Sequence, residues 1–200
     1  ARAGIESRNE NSKNVLDKAE RQVRELVFLH GGQSAAQLKK WQTAIDWYNE
    51  LRKRFPTSEY LPQIFYETGF AFQQLENTSK ALEFYKEVAD NYRNATAARA
   101  RFMMGEIHFA NRSYDKAIPE FQRVMFGFGA DKAPADIKNW QAKSAFEAGR
   151  CSDLLVQEAK TDNAKNKAKN YAKGFYQYVL EKHPNHELAA KSHDRLEKLK

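Results

Sequence analysis

The chain has 200 residues, 42% hydrophobic and 30% charged, with 33 Lys and Arg against 26 Asp and Glu and a net charge of +7. That balance argues for a packed core and against disorder, and no run approaches the roughly 18 consecutive apolar residues of a membrane-spanning helix. Ala1 to Asn14 lack the apolar centre of a signal peptide, and the single cysteine, Cys151, excludes an internal disulfide.

Asn14 to Leu29 reads as the first helix, because Val15, Ala19, Val23, Leu26 and Val27 keep a helical period, and Gly31 with Gly32 is expected to end it. A second helix is expected from Ser34, a suitable N-cap, carrying Leu38, Trp41, Ala44, Ile45, Tyr48, Leu51 and Phe55 on one stripe before Pro56 stops it. Helices follow over Leu61 to Leu75, Ser79 to Tyr92, Asn94 to Ala110 and Tyr114 to Phe126. Pro119 is expected near the first turn of the last of these, where its missing N–H costs little. Gly127, Gly129 and Pro134 mark a longer loop, and Ala135 to about Glu158 forms a long helix.

One unit recurs along this order. Gly69, Ala81, Tyr85 and Val88 return 36 residues later as Gly105, Ala117, Phe121 and Val124. The small, aromatic, aliphatic order appears again as Ala44, Tyr48, Leu51 and as Ala172, Tyr176, Val179, with Pro56 and Pro184 each 12 residues after the alanine. Alanine fits where two helices cross closely, the aromatic fills the gap to a neighbour, and proline ends the helix. Between Gly149 and Ala172 the interval grows by 11 residues over that from Gly69 to Ala81, and the insertion is rich in lysine.

These residues, with Phe65, Phe72, Met104 and Ala148, resemble the tetratricopeptide repeat over about residues 34 to 184. The resemblance implies an all-α fold: a right-handed α-α superhelix, or TPR-like solenoid, of about four helix pairs with an N-terminal and a C-terminal capping helix. The expected organisation is a flexible segment 1–13 and one domain over 14–200, with repeats near 34–57, 58–93, 94–130 and 135–184 and a cap at 186–200. The first repeat lacks a clear first helix in this reading. The run Tyr48 to Phe55, Pro56, Ser58, Tyr60, Pro62 is similar to the turn that joins repeats in bacterial cell-envelope members, the Tol-Pal-associated periplasmic protein and the barrel-assembly lipoprotein, which implies the periplasm, with the cytoplasm as the alternative.

Residues able to carry catalysis are sparse. His183, His186 and His193 lack the carboxylates or cysteines that a zinc site requires, Cys151 has no neighbouring histidine, and neither a phosphate-binding glycine loop nor a nucleophile elbow is present. The reading is therefore not an enzyme, with no cofactor and no metal. A groove is the stronger candidate. The resemblance puts the partner-facing positions on the first helix of each repeat, just before and after its small residue: Gln63, Tyr66, Phe70 and Gln73; Arg99, Phe102, Glu106 and Phe109; Lys143, Phe146, Arg150 and Asp153. Aromatic rings framed by Arg99, Lys143 and Arg150 suit a peptide with apolar and acidic side chains, while the alternative is that these rings are core. Gln63, Tyr66 and Phe70 do not match the two-carboxylate clamp of chaperone-binding members.

The leading function is a non-catalytic scaffold for a partner protein or peptide. Ten of the Lys and Arg lie between 160 and 200 against 5 Asp and Glu, so that +5 of the +7 is concentrated there. Lys160, Lys165, Lys167 and Lys169 of the insertion therefore give a second reading, an anionic ligand or nucleic acid. No aromatic lies among them before Tyr171, which disfavours base stacking. Self-association into a homo-oligomer is the third.

Overall fold

A computed structural model describes the backbone of residues 2–199 and the side chains of residue 15 and residues 17–199. The backbone of the segment 1–13, expected to be flexible, runs from residue 2 as part of the first helix, and its side chains lie outside the described residues. Nine α-helices and one short 3-10 turn make up the regular structure among the described residues: α1 (Arg2–Gln37), α2 (Trp41–Arg54), α3 (Leu61–Gln74), α4 (Thr78–Asn91), α5 (Ala95–Ala110), α6 (Tyr114–Gly127), α7 (Ala135–Glu158), α8 (Asp162–Lys182) and α9 (Leu188–Glu197), with the turn at Ala130–Lys132. The fold is all-α, built of consecutively packed helix pairs, as expected of a TPR-like solenoid. The chain divides into two compact units, Ala1–Ala81 and Leu82–Lys200.

In the first unit α2 packs on α1 and on α3. Ala44, Tyr48, Leu51 and Ile64 are fully buried, and Leu29 and Ala35 of α1 join them. Here the expected break in α1 is corrected. Gly31 and Gly32 lie inside the helix, Ser34 is not a cap, and α2 begins only at Trp41. A Cβ added to Gly32 would stand 2.2 Å from Cε1 of Tyr48, and one added to Gly31 would stand 2.8 Å from the Trp47 ring. The glycines therefore let α1 approach α2, and that packing outweighs their low helix propensity. The helix expected over 14–29 is the leading part of α1, and the carboxyl part of α1 is the first helix of the first pair.

The turns confirm that assignment. Lys39, Glu76 and Arg112 each take a left-handed backbone conformation, with φ of 57°, 58° and 55°. Behind each the same two bonds close the helix end: Lys39 and Lys40 N–H to Ala36 and Ala35, Glu76 and Asn77 to Gln73 and Phe72, Arg112 and Ser113 to Phe109 and His108. One tight helix-ending motif is thus used three times, although none of its left-handed residues is glycine. Asn94 caps α5, its side chain accepting from the Ala97 N–H at 3.0 Å. Pro119 sits at the sixth residue of α6, beyond the first turn, so it removes one helical hydrogen bond that its expected place would have spared.

In the second unit α5, α6, α7, α8 and α9 pack in sequence, and α7 also touches α5 and α9. Phe121, Ala145, Ala148, Cys151, Ala172, Tyr176 and Val179 form its core, against which Leu188, Leu196 and Leu199 close the carboxyl end. Gly105 and Gly149 act as Gly32 does, each placing a hypothetical Cβ 2.5 Å from the ring of Phe121 or Tyr176. Arg101 ties helices together, donating to Asp90 of α4 at 2.5 Å and to Glu120 of α6 at 3.0 Å, while Arg123 also pairs with Glu120.

Candidate partner-binding faces

In the first unit, α1, α3 and the start of α2 enclose a cleft of about 400 Å³ lined by Gln33, Ala36, Gln37, Trp41, Glu67 and Phe70. Phe70 is half-buried with its ring at 5.8 Å and 81° to that of Trp41, an edge-on contact that holds both at the cleft wall. Tyr66 is buried, whereas Gln63 and Gln73 are half-buried. Of the expected residues on α3, only Phe70 lines the cleft.

In the second unit the first helices α5 and α7 lie side by side and bring most of the expected row together. The Trp140 ring is its centre: the Arg99 guanidinium is 5.7 Å from the ring centroid, the Lys143 ammonium 5.0 Å, and the Phe102 ring 5.3 Å. Cations over an indole face are favourable contacts that also hold the long side chains at the surface. Phe102 reaches Phe121 beneath it, at 5.5 Å, so its ring spans surface and core. Farther along, Arg150 lies 4.9 Å over Phe109, which packs edge-on against Tyr114. Phe146 is buried against Tyr176 and belongs to the core. Asp153 accepts from the Tyr176 hydroxyl at 2.6 Å.

Between the rings lies a pair of carboxylates. Glu147 accepts from Arg150 at 2.7 Å, while the Glu106 Oε1 atom is buried without a hydrogen-bond partner. Burial, and next the charge of Glu147, push the Glu106 carboxyl up to about 7 despite the opposing pull of Arg150. Burial also raises Glu147, against the pull of Arg150 and Arg195. The same surroundings push the buried Cys151 thiol up to about 12, first by burial and then through Glu147 and Glu106.

Trp41 and Trp140 are the residues that sequence reasoning missed. Each contributes to the helical period in which it lies, and nothing in that period marks its ring as half-exposed. Of the basic insertion, Lys160, Lys165 and Lys167 are exposed and Lys169 is half-buried on α8. His186 is engaged in structure, its Nε2 3.0 Å from Asn139 Oδ1 and its Nδ1 accepting from the Leu188 N–H. Among the described residues, no group of three His, Cys, Asp or Glu is placed to hold a metal ion.

The paired helices, the repeated glycine-aromatic crossing and the repeated left-handed turn define a helical repeat protein. Sequence profiles of the tetratricopeptide repeat match residues 66–136 and 27–58, and the chain carries tetratricopeptide repeats. The second match begins inside α1, in agreement with its carboxyl part being the first helix of a repeat. Among solved structures, the chain is similar to MamA AMB-1, at 16% identity over 89% of this chain and 81% of that one, with a TM-score of 0.55. It is also similar to the apo form of RapI, at 15% identity over 88% of this chain, with a TM-score of 0.60, and there it spans 62% of the other chain. The MamA RS-1 ArsTM double mutant gives 18% identity, 88% and 93% coverage and a TM-score of 0.53. At these identities the likeness is one of fold. No curated protein sequence matches.

Proposed function

We propose that the chain is a non-catalytic scaffold that binds a segment of a partner protein on the first-helix faces of its repeats. The observation that carries this reading is Trp140, half-buried between α5 and α7 with Arg99 and Lys143 on its ring. An aromatic platform bordered by cations suits an apolar side chain next to an acidic one. The partner-facing residues are Phe70 with Trp41 in the first unit, and Arg99, Phe102, Phe109, Trp140, Lys143 and Arg150 in the second. Tyr66 and Phe146 support the face from below. Replacing Arg99 and Lys143 together by Glu leaves the core intact and weakens partner binding by about tenfold or more. Unchanged affinity would remove the second-unit face from the proposal.

The setting we infer is a bacterial cell-envelope assembly. Its support is the inter-repeat turn at Phe55 to Pro62, in which the buried Ser58 hydroxyl donates to Glu25 of α1 at 2.8 Å and accepts from the Tyr60 N–H at 3.2 Å. Fractionation of the native cell with an antibody to the protein tests it, and recovery in the cytosol alone would contradict it.

A further inference from the structure

The 11-residue insertion lengthens two helices rather than a loop. α7 has 24 residues and α8 has 21, against 14 in α2 and in α3, and every residue from Lys160 to Lys167 is exposed. Where the end of α7 meets the start of α8, an apolar groove of about 400 Å³ opens, floored by Leu155, Ala159, Ala164 and Ala168 and walled by Tyr171. Alanines at 164 and 168, one turn apart on α8, leave the groove unfilled; longer residues there would close it. Tyr171 is 52% exposed, and its ring stacks on Phe175 at 6.4 Å with the Lys167 ammonium 6.0 Å from its centroid.

Charge surrounds this apolar floor asymmetrically. Lys160, Lys165, Lys167, Lys169 and Lys173 oppose a single carboxylate, Asp162, over residues 160–173, and Glu158 is the only carboxylate among the groove residues. We propose that the α7–α8 extension docks an acidic protein segment, one of whose apolar side chains seats on Leu155, Ala164 and Tyr171 while its carboxylates face the lysines. A phosphate polymer would engage the lysines but leave the apolar floor wet, whereas an acidic peptide with an apolar anchor uses both. The site lies on different residues from the α5–α7 face and does not rest on that reading.

The test uses the whole chain and fluorescence anisotropy with three labelled probes. These are a synthetic pool of acidic peptides with a central Leu, Phe or Trp, the same peptides with Ala at the centre, and a single-stranded oligonucleotide of matched charge. The anchored pool is expected to bind, and alanine at its centre to weaken it by about tenfold. Ala164→Trp, which fills the groove from an exposed position, and Lys160→Glu with Lys167→Glu are each expected to weaken it comparably, with helicity checked by circular dichroism. Failure of the anchored pool to bind overturns the proposal. So does an oligonucleotide that binds as tightly as the pool, or binding of the pool that Ala164→Trp leaves unchanged.

Discussion

Gly32 of α1 lies so close to Tyr48 of α2 that an added Cβ would stand 2.2 Å from the ring. Tyr48 is wholly buried and cannot move aside, so Gly32→Ala must separate α1 from α2. The expected loss is about 2 kcal/mol or more, as for overpacking in a rigid core. Gly174 in α8 has nothing within 4 Å of the same hypothetical atom, and Gly174→Ala is expected to gain about 0.5–1 kcal/mol from helix propensity alone. Urea denaturation of the two variants, followed at 222 nm, should give shifts of opposite sign.

Arg101 and Glu120 form a largely desolvated pair, their side chains 12% and 11% exposed. Arg101→Met leaves the Glu120 carboxylate with Arg123 alone, and the loss expected is about 2–3 kcal/mol. Changing Glu120 to Met as well should recover most of it. A double variant no more stable than Arg101→Met would show that the loss is one of packing rather than of stranded charge.

Glu106 makes stability depend on pH in a definite direction. Its ordinary value of 4.5 is raised to about 7 in the folded chain, so between those limits the folded state holds a proton that the unfolded state releases. Stability due to this group is therefore present below about 4.5 and lost as pH rises through 7. Glu106→Gln lacks the titration. It should match the parent near pH 4.5 and exceed it at pH 8 by about 1 kcal/mol, discounted for the solvent that still reaches the side chain, or roughly 2–4 °C in Tm. Calorimetry at the two pH values measures the difference, and an equal effect at both would remove Glu106 as its source.

Cys151 should be inert in the native protein. With the thiol buried and pushed up to about 12, almost no thiolate is present at pH 8. A disulfide reagent is expected to release no colour from the folded chain and one equivalent after denaturation. Rapid native labelling would mean that the α7 segment opens readily.

The helix pairs were legible in the sequence because Ala, aromatic and aliphatic residues recur at the positions where helices cross. The first repeat was harder to read. Two adjacent glycines resemble a helix stop, yet Gly32 precedes Tyr48 by the same 16 residues that separate Gly69 from Tyr85 and Gly105 from Phe121. That matching interval was the available signal, and packing against Tyr48 decided in favour of the helix. The candidate faces were less legible. Phe70 and Phe102 share a sequence role with Tyr66 and Phe146, and only the neighbours each meets across the helix pair separate half-buried rings from rings in the core. Glu106 gave no warning in the sequence, because its burial depends on α7 lying against α5.

The most direct measurement of the central claim is site-specific photo-crosslinking in the native cell. A photoreactive phenylalanine is placed at Phe109 or Lys143 on the first helices, or at Lys86 or Lys116 on the second helices. The scaffold reading predicts one shared crosslinked protein from positions 109 and 143, absent from 86 and 116, and lost from position 109 when Arg99 and Lys143 are changed to Glu. Crosslinking of that protein only from 86 and 116 would contradict it and place binding on the opposite helices.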